Sequence, residues 1–197
     1  MFAITTHEVM HGVVARWLGD DTAARAGRLT LNPVSHIDPF GTILMPAVLM
    51  LLHMPVFGYA KPVPVDFRRL RNGRLGMVLV AAAGPFTNLA LAVISAAILR
   101  LIVPHLDSGI GSQIILPLAK MAQASVIINI VLAVFNLFPL LPLDGGRVLA
   151  GLLPRRLAWR FSRLEPYGFL ILVLLLYTNV VSSVIYPVID AMTRVLL

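Results

Sequence analysis

Apolar residues run through this chain in blocks too long and too continuous for the core of a soluble domain. The first block reaches from residue 1 to about residue 18 and stops at Gly19-Asp20, a helix-ending pair. Residues 20–39 are polar and broken at Asn32-Pro33 and Asp38-Pro39, and within them 28–32 alternates in the manner of a short strand. Residues 41–58 turn apolar again but carry Pro46 and Pro55, which fits a re-entrant or interfacial segment. A long helix is expected over 75–103, tilted or kinked near Gly84-Pro85. After a short connection at 104–112, a second span covers 113–137 and ends at Pro139 and Pro142. A basic amphipathic stretch fills 143–165, and a last span covers 167–189.

Composition turns this pattern into a class. The 197 residues are 58% hydrophobic and 13% charged, so the expected fold is an all-α polytopic membrane protein. It is a bundle of about four transmembrane helices plus a re-entrant or short β segment, in a single membrane-embedded domain over 1–197. Cysteine is absent, which excludes disulfides and thiolate metal sites and leaves His and carboxylate as metal ligands. The net charge of +7 does not point to nucleic acid, because no aromatic-basic motif or nucleic-acid module is visible. Its arginines set topology instead. Arg68, Arg69, Arg71 and Arg74 crowd 66–74, and Arg147, Arg155, Arg156, Arg160 and Arg163 crowd 143–165, while 104–112 has no Lys or Arg. The positive-inside rule places the two basic loops in the cytoplasm and the bare one outside.

Within the first block, residues 7–11 read HEVMH. On a helix, HExxH sets His7 and His11 one turn apart on one face, where both imidazoles can bind one Zn²⁺ beside Glu8 as proton acceptor. Ionisable groups at membrane depth are expensive and usually mark function. The bland alternative is a pair of core histidines. A third ligand is offered by Asp144, just past an apolar helix in a Pro- and Gly-rich turn; its own alternative is to cap the helix that follows. Asn88, Asn129 and Asn136 sit in apolar surroundings, where an amide must find a partner, water or a developing oxyanion; interhelical hydrogen bonding alone is the alternative.

With these residues in place the chain resembles the site-2 proteases, intramembrane zinc metalloproteases, in their short bacterial form without a PDZ domain. The resemblance runs through HEVMH at 7–11, LNPVSHIDPFGTILMP at 31–46, FGYAKPVPV at 57–65, AGPFTNL at 83–89 and NLFPLLPLDGGRV at 136–148. The last block matches the family's NxxPxxPxDG signature. The resemblance implies His7, His11 and Asp144 as ligands of one Zn²⁺ per chain, Glu8 as catalytic base, and Asn88 and Asn136 facing the active-site cavity, to meet substrate or oxyanion or to support the ligands. It implies transmembrane protein substrates, the lipid bilayer as surroundings, and a bacterial cytoplasmic membrane with the active site towards the cytoplasm. His36 and Asp38 fall in a family block, with loop ordering as their alternative. The family carries more apolar sequence before HExxH, so an N-terminal span is expected to be lacking here. The 28–32 strand is expected to hold an unwound substrate as an added strand. A catalytically inactive homologue, or a scaffold or transporter-like membrane protein, is the competing class; the latter calls for internal repeats, and none is visible.

Overall fold

The computed structural model describes residues 1–53, 56, 58–105 and 111–197. Pro55, Phe57 and most of the expected outer connection at 104–112 lie outside the described residues. Nine α-helices are described: α1 (Phe2–Trp17), α2 (Thr22–Arg25), α3 (Met45–Leu51), α4 (Gly73–Ile102), α5 (Gly111–Asn136), α6 (Asp144–Leu152), α7 (Arg155–Ser162), α8 (Glu165–Tyr177) and α9 (Val180–Leu196).

Among the described residues two helices are long and apolar enough to cross a membrane, within Gly73–His105 and Gln113–Asn136. They pair through small residues: Ala92 and Ala96 of α4 meet Val126 and Ile130 of α5 in a buried cluster, on which Ile189, Met192 and Leu196 of α9 also pack. Alanine lets the backbones approach, and Ser95 and Ser125 add an interhelical hydrogen bond of 2.8 Å. The outer faces stay apolar, with Phe86, Val93, Ile94, Leu101, Met121 and Ile128 each more than half exposed. Such a surface suits hydrocarbon and not water.

The expected last span is not one helix. α8 and α9 meet at a bend of 74° around Thr178-Asn179. Asn179 adopts φ 57°, the left-handed geometry that Asn tolerates, and the Thr178 hydroxyl donates back to the Leu174 carbonyl at 2.9 Å. The bent pair makes a third candidate span if counted as one. The basic stretch 143–165 likewise divides, at Pro154, into α6 and α7.

No β-strand occurs among the described residues, so the expected strand at 28–32 is irregular chain without a ladder. Its alternation has a different cause: Leu29 packs against α1 at Gly12, and the Thr30 carbonyl accepts the His36 imidazole at 2.9 Å. His36 and Asp38 order this loop. Asp38 accepts the Phe40 and Gly41 amides at 3.0 and 2.7 Å, starting a π turn that runs into α3. Asp20 clamps the end of α1, taking the Thr22 amide at 3.0 Å and the Asp66 amide at 2.7 Å.

Candidate metal centre

The apolar helix α1 carries His7 and His11 on its buried face, with ring centroids 4.7 Å apart. They face the stretch of α4 around Val80–Asn88, which begins roughly 10 Å along that helix at 1.5 Å per residue. Gly84 makes the approach possible: a Cβ there would fall 2.5 Å from His11 Nε2 and 2.6 Å from His7 Nε2. Any side chain would fill the space on which the two nitrogens converge.

Both imidazoles are oriented from behind. His7 Nδ1 donates to Asn88 Oδ1 at 2.6 Å, and His11 Nδ1 donates to the Val80 carbonyl at 2.7 Å. A neutral imidazole has one N–H, so both Nε2 atoms are left as lone-pair donors aimed inward. Asn88 is in turn fixed, its amide donating to the Ala3 carbonyl at 3.1 Å and to Asn129 Oδ1 at 2.8 Å. Asn129 donates to the Ser125 carbonyl at 2.8 Å. A buried relay thus runs from α5 through α4 to His7.

Asp144 closes the site. It is the first residue of α6, and its side chain does not cap that helix. Its Oδ2 lies 3.0 Å from His7 Nε2 and 3.3 Å from His11 Nε2. α6 itself is pinned to the start of α4 by the Arg74 guanidinium, which donates to the Ala150 carbonyl at 3.1 Å and to the Leu153 carbonyl at the helix's C-terminal end.

These residues fit a metal ion. Two nitrogen lone pairs and a carboxylate oxygen converge, and the Nδ1 bonds use the one proton each neutral imidazole holds, so a cation is what balances them. Ligand atoms about 2.0–2.2 Å from a tetrahedral zinc stand about 3.3–3.5 Å apart, close to the 3.0 and 3.3 Å found here. Glu8 is the other candidate third ligand, with one oxygen within 4.8 Å of a nitrogen from each histidine. It is held differently: its Oε2 accepts the Val63 amide at 3.0 Å, a contact that Gly12, one turn along α1, makes room for.

The centre opens on a cavity of about 640 Å³ whose wall includes Glu8, Val63, Leu132, Phe135, Asn136, Arg147 and Phe169. The structure therefore brings together His7, His11, Glu8 and Asp144 and separates the two asparagines. Asn88 is wholly buried behind His7, whereas Asn136 borders the cavity with its amide spent on the Leu132 carbonyl at 2.9 Å. Sequence reasoning missed the Val63 amide, the Gly84 cradle and the Asn129 relay. Gly84 lies within AGPFTNL at 83–89, and Asn129 is one of the three asparagines in apolar surroundings where an amide must find a partner.

The model of peptidase family M50 matches residues 110–177, which include Asn136 and Asp144 but not HEVMH. "Putative zinc metalloprotease YwhC" of Bacillus subtilis is 39% identical over 193 residues, covering 96% of this chain and 83% of the relative. "Putative zinc metalloprotease Rip2" of Mycolicibacterium smegmatis is 27% identical over 179 residues, covering 90% of this chain and 64% of the relative. No solved structure gives a significant match.

Proposed function

Because the chain belongs to peptidase family M50, whose zinc metalloproteases it resembles along nearly its whole length, we propose that it is an intramembrane endopeptidase that hydrolyses peptide bonds within transmembrane segments of other proteins. The observation that carries this reading is the convergence of His7 Nε2, His11 Nε2 and Asp144 Oδ2 in a bundle with an apolar exterior. In this reading those three side chains hold one zinc ion per chain. Held there, it would supply Lewis-acid chemistry, acidifying a water molecule and polarising a carbonyl.

The chain's own residues do the rest. The Val63 amide fixes Glu8 by one oxygen, which leaves the other to take a proton from the attacking water and return it to the leaving amine. Asn88 acts behind His7, as all its polar groups are engaged there. Asn136, on the cavity wall, is placed to meet substrate. Phe135, Leu132 and Phe169 exclude bulk water and suit an apolar segment. A transmembrane helix shields its own peptide groups, so it unwinds locally before Glu8 can act. Leu29, in the run 28–32, and Val63 flank α1 at Gly12, and the chain on either side offers a surface for the unwound stretch.

The proposed setting is a bacterial cytoplasmic membrane, with 1–197 as one domain. Four membrane elements form it: α1, α4, α5 and the α8–α9 pair, with the site near the arginine-rich end that faces the cytoplasm. Glu8→Gln tests the catalytic role. The variant is expected to lose cleavage of a transmembrane-helix substrate in liposomes by about 10²-fold or more. Undiminished cleavage would remove Glu8 from the mechanism, and equal loss of cleavage and fold would be excluded by an unchanged circular dichroism spectrum.

A further inference from the structure

Arg155, Arg156, Arg160 and Arg163 pair with no carboxylate among the described residues, although Arg147, on the preceding helix, reaches Glu165 at 3.6 Å. At about 100° per residue the four fall within an arc of about 140° on and just beyond α7. Trp159 lies inside that arc, 62% exposed, with the Arg163 guanidinium 4.5 Å from its ring centroid. Leu157, Phe161 and Leu164 occupy the opposite arc, and Leu157 and Leu164 remain 49% and 47% exposed. The protein thus leaves the apolar side uncovered as well as the charged one.

That combination suits an interface. A helix lying in the membrane plane sinks its apolar arc to the acyl boundary and raises its basic arc to the headgroups. Arginine matches phosphate bidentately, and an indole ring sits at headgroup depth. Arg155, Arg156, Trp159 and Arg160 border a shallow hollow of about 390 Å³ in which a phosphate can be gripped. Four uncompensated positive charges favour a lipid with net negative charge over a zwitterionic one. An acidic peptide would neutralise the arginines but leave Leu157 and Leu164 in water.

We propose that α7 binds the headgroups of anionic phospholipids, gripping their phosphates with Arg155, Arg156 and Arg160 around Trp159. The site goes beyond the protease reading and does not depend on it. Only Leu153 and Pro154 separate α7 from α6, the helix that begins with Asp144, so the bound lipid anchors the element next to the metal centre.

Trp17 and Trp159 are the only two tryptophans, so Trp17→Phe makes Trp159 a single reporter in the full chain. In nanodiscs, brominated phosphatidylglycerol is expected to quench Trp159 on the order of fivefold more effectively than brominated phosphatidylcholine at equal mole fraction. R155Q/R156Q/R160Q abolishes the preference, and R155K/R156K/R160K keeps most of it, which separates lost charge from lost fold. Equal quenching by the two lipids in the Trp17→Phe parent overturns the proposal whether or not the triple variants fold. So does a preference that survives in the glutamine variant. Loss of the preference when inorganic phosphate replaces chloride at equal ionic strength would make this a free-phosphate site and overturn the lipid assignment.

Discussion

Asn88 commits every polar atom to the frame around His7: its carbonyl takes the Nδ1 proton, and its amide is tied to Ala3 and Asn129. Hydrogen bonds to the far nitrogen of a metal-ligating imidazole commonly change metal affinity by about 10–100-fold. Asn88→Ala is therefore expected to weaken zinc binding by about that factor in competition with a chelator; unchanged affinity would detach the relay from the metal site. Gly84→Ala should act more severely, since its Cβ would enter the space between the two Nε2 atoms. The histidine pair was legible in the sequence because helix geometry fixes what lies at i and i+4. Asp144 was legible as a carboxylate in a rigid turn. The partner of Asn88 was not: 81 residues separate it from His7, and nothing local says which side of an apolar helix an amide faces.

Asp20 works at the level of elements, joining the end of α1 to α2 and to the chain leading into α4. Burial pushes its carboxyl up, but hydrogen bonds from Thr22 and the Asp66 amide prevail and hold it below the usual carboxylate range. A depressed folded-state pKa gives stability that is present above the unfolded value near 3.9 and lost as pH falls through the lower folded value. Asp20→Ala is expected to cost about 1–3 kcal/mol near neutral pH and progressively less under acid, read as melting temperature against pH. A deficit independent of pH would assign the effect to packing. The helices over 75–103 and 113–137 were readable from hydropathy to within a few residues. The α8–α9 bend was not, because the apolar run across it is nearly continuous and the break rests on Thr178-Asn179. The strand at 28–32 failed for a complementary reason: alternation records one buried side, whereas a ladder needs a partner that the described residues do not supply.

Arg147, in the basic stretch 143–165, borders the same cavity as Glu8 and Asp144 of the candidate metal centre. The absence of cysteine makes the orientation directly measurable. A single cysteine at Arg68 is expected to react with a membrane-impermeant maleimide only from the cytoplasmic side, and one at His105 only from the opposite side. Labelling of both from one side would overturn the topology. In the proposed mechanism His7, His11 and Asp144 hold the metal while Glu8 acts on the water, although Glu8 also lies near both histidines. Zinc per chain, measured by plasma mass spectrometry on purified Asp144→Ala and Glu8→Gln, separates the two carboxylates. The expected result is loss of zinc from Asp144→Ala and about one zinc retained by Glu8→Gln, as three protein ligands and an open position require. Full zinc in Asp144→Ala with loss from Glu8→Gln would make Glu8, not Asp144, the third ligand.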